Sequence, residues 1–220
     1  MPDLSASALR TALLRPLPGH AAFADLSGYP RPSIEQALAL VPPPRESAVL
    51  ILVHPMGDTT HTLLMRRPVY KGVHSGQVAF PGGKREASDA SLQATALREF
   101  AEETGADTKD FEVLGELTRI HIPPSHTLVT PVVAWAPQLG PLRPDPREVA
   151  ALIDVPVSEL LRKDILHSKT FRMGLDGSMR EALYWNVNGE VVWGATAMMI
   201  AEFRAVLGHP LPPHRPLGRL

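Results

Sequence analysis

The sequence predicts an α/β or α+β domain, in which a mixed β-sheet is sandwiched between helices. Residues 48–53 form a continuous apolar run, which is typical of a strand that is buried on both faces. Residues 88–104 have helical periodicity and are followed by Gly105, the residue type that most often ends a helix in a left-handed conformation. Asn188 and Gly189 separate two short segments and are a strong turn signal for a β-hairpin.

The remaining elements follow from the same periodicities and from the positions of proline and glycine. Two short helices are predicted first, over residues 4–14 and 33–41, because Pro-rich stretches end both of them. The predicted strands cover residues 48–53, 61–65, 76–80, 111–114, 127–136, 184–187 and 190–193. A loop, a short helix and a terminal amphipathic helix are predicted over residues 137–146, 157–162 and 196–207.

Composition places the chain among soluble globular proteins and excludes several classes of function. The 220 residues are 44% hydrophobic and 20% charged, which fits one domain with extensions. The net charge is −1 without any basic run, so we expect no nucleic-acid partner. The absence of cysteine excludes disulfides and thiol chemistry, and no apolar stretch approaches the roughly 18 residues of a membrane span. We therefore expect a cytoplasmic protein with no membrane partner.

The two proline-bounded helices define an N-terminal extension that precedes the domain. This extension could exchange between two copies of the chain, so a homodimer is one expectation for the oligomeric state. The chain is expected to divide into the extension, the domain and a Pro-rich tail, at residues 1–46, 47–207 and 208–220.

Three glutamates lie close together on the predicted helix of residues 88–104. At 100° per residue, Glu99, Glu102 and Glu103 fall within about 100° of one another. Glu99 and Glu103 repel at i,i+4 by roughly 0.2–0.5 kcal/mol. The helix dipole disfavours each charge by roughly 0.3–1 kcal/mol. A divalent cation would reverse both costs, so the cluster predicts a metal site; the alternative is a solvated acidic face. The opposite side is the predicted core stripe, with Ala90, Ala94, Leu97 and Ala101.

A glycine pair lies between a predicted strand and this helix. Pro81 favours an extended Phe80, while Gly82 and Gly83 can adopt positive φ and bring the backbone close to a ligand or metal. Glycine pairs usually form ordinary turns, but this pair is followed by a helix that ends in clustered acids. The combination favours a ligand-binding loop.

At these residues the chain resembles the Nudix hydrolases. Their signature is Gly, five residues, Glu, seven residues, then Arg-Glu-hydrophobic-x-Glu-Glu-x-Gly-hydrophobic, and residues 98–106 (REFAEETGA) match the second half completely. The first half departs from the signature. Gly83 is followed after five residues by Asp89 in place of Glu, and eight residues separate Asp89 from Arg98.

A neighbouring segment resembles the coenzyme A pyrophosphatase branch of that family. The upstream motif of this branch begins with Leu-Leu, here Leu63 and Leu64, and closes with Gly-x-x-x-Phe-Pro-Gly-Gly, here residues 76–83. The Arg of that motif is replaced by Gly72, so either the adjacent Lys71 supplies the charge or the substrate preference differs. Residues 130–133 (TPVV) and 193–197 (WGATA) also look like later stretches of this branch.

The resemblance implies a Mg²⁺- or Mn²⁺-dependent hydrolysis of a diphosphate bond. It implies that Glu99 and Glu103 are metal ligands, that Glu102 is the next candidate and that the Gly83 carbonyl completes the shell. Arg98 is expected to orient the loop or pair with a carboxylate. The general base stays open between these glutamates and a Glu from another loop, with Glu148 a candidate.

The substrate is expected to be a small nucleotide diphosphate. Coenzyme A or an acyl-CoA would give 4′-phosphopantetheine, or its acyl derivative, and adenosine 3′,5′-bisphosphate. The alternatives are ADP-sugars, nucleoside polyphosphates or oxidised nucleotides, and a non-catalytic nucleotide-binding module. Cations near the glycine pair could bind the phosphates, although solvated surface cations are the alternative for each of them. These cations are Arg66, Arg67, Lys71, Lys84 and Arg85.

Overall fold

The computed structural model describes residues 4–26, 32–72, 74–173 and 177–211, and within them eleven strands form two sheets. The strands are β1 (Arg45–Met56), β2 (Thr59–Arg66), β3 (Val78–Ala79), β4 (Gly82–Lys84), β5 (Glu112–Glu116), β6 (Ile120–Ile122), β7 (Thr127–Trp135), β8 (Ala151–Pro156), β9 (Leu166–Met173), β10 (Ser178–Val187) and β11 (Glu190–Val192). The α-helices are α1 (Ala6–Leu13), α2 (Ile34–Leu38), α3 (Leu92–Thr104), α4 (Val157–Leu160) and α5 (Gly194–Val206). The predicted α+β class is confirmed, while the end of the predicted tail, residues 212–220, lies outside the described residues.

The larger sheet is mixed and is centred on β1. Its main path runs β3-β2-β1-β7-β5, with β1 and β7 parallel and the other pairs antiparallel. Strand β4 joins the edge of β1 through the pair Val49↔Gly82. Strands β6 and β8, which the sequence analysis did not predict, pair with β7 and β2.

Helices cover both faces of β1, which explains its continuous apolar run. On one face, Leu50 and Leu52 form a core cluster with Ala96 and Phe100 of α3. On the other face, Ile51 and Val53 belong to a second cluster that includes residues of α5. Because alternate residues of a strand point to opposite faces, a strand between two helix layers must be apolar at nearly every position.

Helix α5 is buried nearly all around, so the predicted amphipathic pattern is wrong there. Residues 196–204 are all buried, including two charged side chains. Glu202 accepts hydrogen bonds from the backbone N–H groups of Gly19 (3.1 Å) and Thr118 (2.9 Å). Arg204 donates to the Arg162 carbonyl at 3.0 Å. These polar partners offset part of the cost of burying the two charges, although Arg204 Nε has no hydrogen-bond partner among the described residues. No described helix combines the length and the hydropathy that a bilayer-spanning segment needs.

The smaller sheet consists of β9, β10 and β11 in antiparallel order. The predicted hairpin turn is confirmed, since Asn188 and Gly189 both have positive φ, 51° and 85°. Strand β9 and the first half of β10 are not predicted from the sequence. Many of their residues are exposed and charged, so an apolar pattern is absent.

Both predicted helices of the N-terminal extension form, but they are shorter than predicted. Ser5 caps α1 by accepting a hydrogen bond from the Ala8 N–H, and Ser33 caps α2 in a capping box with Gln36. Leu13 of α1 lies beside Gly115, which places α1 against β5.

Candidate active site

Helix α3 carries the candidate acids, and its buried face differs from the prediction. The helix begins at Leu92 because Ser91 accepts the Ala94 N–H, and it ends at Gly105 with φ 70°. The predicted core stripe is wrong for Ala90, which is exposed ahead of the helix, and for Ala94 and Ala101, which are only partly buried. Its fourth member, Leu97, is partly buried and packs against the core cluster. The buried residues are Thr95, Ala96, Phe100, Glu103 and Thr104. The reason is that Phe100 offers more apolar area to β1 than the alanines of the predicted stripe do.

Glu103 therefore lies on the buried face, between α3 and the sheet. Its side chain is only 2% exposed, and one carboxylate oxygen accepts the Gly82 N–H at 2.7 Å. Arg67 lies 3.7 Å from the other oxygen. Burial raises the pKa of Glu103 to about 7, although Arg67 and the Gly82 N–H act in the opposite direction. A buried carboxylate with this pKa, beside a glycine loop, is typical of a functional site.

Glu99 lies one turn earlier and points at the second glycine. A Cβ atom on Gly83 would overlap the Glu99 carboxylate, so only glycine allows this approach. A Cβ on Gly82 would overlap the backbone of Val49, so the first glycine lets β4 pair closely with β1. Burial is also the largest effect on Glu99, and it raises the pKa against the opposing charge of Arg98.

Arg98 joins the glycine loop to the acids of α3. Its guanidinium donates to both carboxylate oxygens of Asp89 at 2.9 Å and to the Lys84 carbonyl at 2.9 Å. It also donates to Glu99 at 3.1 Å and to Glu102 at 3.0 Å. Hydrogen bonds from Arg98 hold the pKa of Asp89 well below its usual range. Asp89 is shorter than Glu and lies eight residues before Arg98, yet its carboxylate still makes a bidentate contact with Arg98.

The cations that cluster in sequence are separated in space. Arg67 and Lys84 line a cavity of about 850 Å³ next to the acids. Arg66 is not in the cavity wall and pairs with Glu190 at 2.8 Å. Arg85 pairs with Glu46, and the exposed Lys71 is not in the wall either. Of the five candidate cations, the structure thus brings Arg67 and Lys84 to the cavity wall, while Arg66, Lys71 and Arg85 lie outside it. Consecutive residues of an extended chain point in opposite directions, which separates Arg66 from Arg67.

The same cavity contains residues that the sequence analysis did not assign to the substrate. Several of these lie far in sequence from the glycine pair, so no local pattern could find them. Glu148, the candidate base from another loop, is in the wall with Glu99, Glu102 and Glu103. Other wall residues are Leu26, Arg45, Arg172, Trp193 and Met199.

The sequence is similar to those of known proteins. The model of the NUDIX domain family matches residues 44–173, which is more than half of the chain. The chain belongs to the Nudix family. A protein named as an uncharacterized Nudix hydrolase NudL from Photorhabdus laumondii is 35% identical, over 75% of this chain and 90% of that protein. A NudL of the same description from Yersinia pestis is 38% identical, over 71% of this chain and 76% of that protein. Among solved structures, a MutT/Nudix family protein from Enterococcus faecalis has 18% identity and a TM-score of 0.49, covering 82% of this chain and 66% of that chain.

The donor atoms of this Nudix domain suit a hard divalent cation, but its carboxylates are engaged by the protein. In the part of the chain that the structure describes, no three His, Asp or Glu side chains are grouped closely enough to hold a metal ion as they lie. Arg98 holds one oxygen each of Glu99 and Glu102, and the Gly82 N–H holds one oxygen of Glu103. Carboxylate oxygens at this density fit Mg²⁺ or Mn²⁺ by their chemistry. Each of these three carboxylates has a second oxygen that none of these hydrogen bonds uses.

Proposed function

We propose that this chain is a metal-dependent Nudix hydrolase that cleaves a diphosphate bond in a nucleotide derivative, with coenzyme A or an acyl-CoA as the favoured substrate. The observation that carries the proposal is the convergence of Glu99, Glu102, Glu103 and Glu148 with the glycine loop in one cavity. A cavity of about 850 Å³ is of the size that a nucleotide-type ligand requires.

Glu99, Glu103 and Glu102 would hold Mg²⁺ or Mn²⁺, together with the Gly83 carbonyl. When bound, the cation supplies neutralising charge for the diphosphate and lowers the pKa of a coordinated water. The buried Glu103 supports this assignment, because a carboxylate with a raised pKa gains most from a nearby cation. The carboxylate of Asp89 takes no part in metal binding, since it holds Arg98 and through it the loop.

Glu148 is the favoured general base. It is exposed, it lines the cavity, and its charge contributes to the raised pKa values of Glu99 and Glu103. It makes no hydrogen bond through its carboxylate within the described residues, unlike Glu99 and Glu103. A carboxylate that is free to move and close to the acidic centre can accept a proton from the attacking water.

The apolar part of the cavity wall favours a substrate with a long organic arm. Leu26, Ile122 and Val129 line it together with Met198 and Met199 from α5. A pantetheine arm or acyl chain would bury its methylene groups against such a wall, whereas the second sugar of an ADP-sugar is polar. In the proposed reaction, water attacks one phosphorus of the diphosphate. The bridging P–O bond breaks and the leaving phosphate takes its electrons, so that 4′-phosphopantetheine, or its acyl derivative, and adenosine 3′,5′-bisphosphate form.

The test is hydrolysis of coenzyme A, ADP-ribose and a dinucleoside polyphosphate by wild type, Glu103→Gln and Glu112→Gln, with Mg²⁺ or Mn²⁺. Glu112 is a matched control because it is exposed on β5, outside the cavity, and pairs with Arg10. Metal-dependent release of adenosine 3′,5′-bisphosphate, lost only in Glu103→Gln, is the expected result. Preference for another diphosphate would overturn the coenzyme A assignment and keep the hydrolase. If folded protein that binds Mn²⁺ turned over none of them, the enzymatic proposal would fail in favour of a binding module.

A further inference from the structure

The first turn of α5 forms part of the cavity wall and has no side-chain cap. Trp193 is at the N-cap position and makes no capping hydrogen bond, while Gly194, Ala195 and Thr196 follow it in the wall. The first N–H groups of a helix have no partner within the helix and carry the positive end of its dipole. A 13-residue helix that begins at a cavity is therefore a candidate anion site, provided that a second feature points to a ligand.

Thr196 provides that second feature. It is only 9% exposed and lines the cavity, yet its hydroxyl makes no hydrogen bond with any described residue. The hydroxyl oxygen is not fully buried and is open to the cavity. Unlike most buried polar side chains here, Thr196 therefore has donor capacity that a ligand in the cavity can use.

Arg172 places a positive charge on the same cavity wall. It lies near the end of β9, and its guanidinium makes one hydrogen bond, from Nε to the Gly177 carbonyl at 3.3 Å. It makes no ion pair with a carboxylate of the described residues. The adjacent Phe171 stacks on Trp193 with ring centroids 4.4 Å apart and an angle of 14° between the planes. This stack holds β9 against the start of α5.

These residues are separate from the acidic centre. Helices α3 and α5 pack on opposite faces of β1, so the end of α3 with the glutamates and the start of α5 form different parts of the wall. A substrate that occupies both must carry a second negative group outside its diphosphate.

We propose that the first turn of α5, Thr196 and Arg172 form a second anion site, which binds a phosphate monoester on the ribose of the nucleotide substrate. The inference rests on the proposed function and deepens it, because coenzyme A carries such a 3′-phosphate while 3′-dephospho-coenzyme A and ADP-ribose do not. The backbone N–H groups and the hydroxyl donate to the phosphate oxygens, and the Arg172 guanidinium supplies the charge.

The test compares kcat/KM for coenzyme A and 3′-dephospho-coenzyme A in wild type, Arg172→Gln and Thr196→Val. We expect wild type to prefer coenzyme A by about 10- to 100-fold, as for a charge-assisted contact. The ratio should fall toward one in both variants and should be retained in Thr196→Ser, which keeps the hydroxyl. Lys169→Gln is the matched control, since Lys169 is an exposed cation of β9 outside the cavity wall, and it should keep the wild-type ratio.

Failure of this site and failure of the proposed function give different results. Equal turnover of the two substrates by wild type would overturn the second anion site and leave the coenzyme A hydrolase in place. No turnover of either would overturn the proposed function. In that case, calorimetry that compares the affinities for adenosine 3′,5′-bisphosphate and for 5′-AMP tests the second anion site without turnover. Tighter binding of the bisphosphate, lost in Arg172→Gln, would support the site, and equal binding would overturn it.

Discussion

Replacing Glu103 with Gln tests two effects of this carboxylate separately. One is its effect on the free energy of unfolding, and the other is its effect on turnover. Glu103 is 2% exposed, and Gln fills nearly the same volume while its amide oxygen can still accept the Gly82 N–H at the same position. The substitution therefore removes a buried charge and little else. We expect the variant to lose turnover and, without metal, to be more stable than wild type at alkaline pH.

The sign and size of this stability difference follow from the pKa of Glu103, which burial raises from an ordinary 4.5 to about 7. Because the folded state holds the proton more tightly, the unfolded chain ionises first as the pH rises through this window. The metal-free protein therefore loses stability between about pH 4.5 and pH 7, by about 3 kcal/mol in total. Gln has no such loss. At pH 8 it should raise the Tm of the metal-free protein by about 6–12 °C, and near pH 4.5 most of the difference should disappear.

The assay is thermal or urea unfolding of both proteins in a chelator, at pH 8 and at pH 4.5. Glu102→Gln is the matched control. Its side chain is 60% exposed, so its free energy of unfolding should stay within about 0.5 kcal/mol of wild type at both values. An unchanged or lowered stability of Glu103→Gln at pH 8 would contradict this expectation, because it would mean that the Glu103 carboxylate is not desolvated in the folded protein.

Three further substitutions test the geometry around the acids. Gly83→Ala would push the Glu99 carboxylate aside, so we expect kcat to fall at least about tenfold with little change in Tm, and an active variant would show that the close approach is dispensable. Asp89→Asn removes the charge that accepts both hydrogen bonds from Arg98, so the free energy of unfolding, measured in urea, should fall by about 1–3 kcal/mol. Wild-type stability would mean that this contact does not hold the loop. Glu148→Gln should reduce kcat by about 10²–10⁴-fold with retained Mn²⁺ affinity by calorimetry, and a fall of less than threefold would remove Glu148 as the base.

Local patterns were sufficient for the elements whose determinants are local. The apolar run of residues 48–53, the turn at Asn188 and Gly189, and the end of α3 at Gly105 were all predicted in place. In each case one or a few adjacent residues decide the conformation, through burial on two faces or through positive φ. The pairing of the acids with a glycine loop was also predictable, because both lie within one short stretch of chain.

The buried face of α3 was not predictable from the helix alone. A helical projection groups residues by angle but does not say which group meets the sheet, and the alanine stripe looked more apolar than the stripe that contains Glu103 and Thr104. Phe100 is the large apolar side chain of α3 that packs in the core cluster, and Glu103 lies on the same buried face of the helix. The cost of that burial is visible in the raised pKa of Glu103. The face of α3 that packs on the sheet therefore differs from the face that hydropathy alone selects.

The part of the cavity that would select a substrate is built from pieces that are distant in sequence. Leu26 comes from the N-terminal extension, Arg172 from β9 and Thr196 from α5, and none of them lies in the glycine and acid segment. In the proposed function the acids serve the diphosphate, which many nucleotide derivatives share, so their presence alone does not distinguish among substrates. Selection must come from groups that meet the rest of the ligand. We therefore expect that exchanging the start of α5 and β9 between related Nudix proteins changes the substrate preference. Exchanging the glutamates of α3 should change only the rate of hydrolysis.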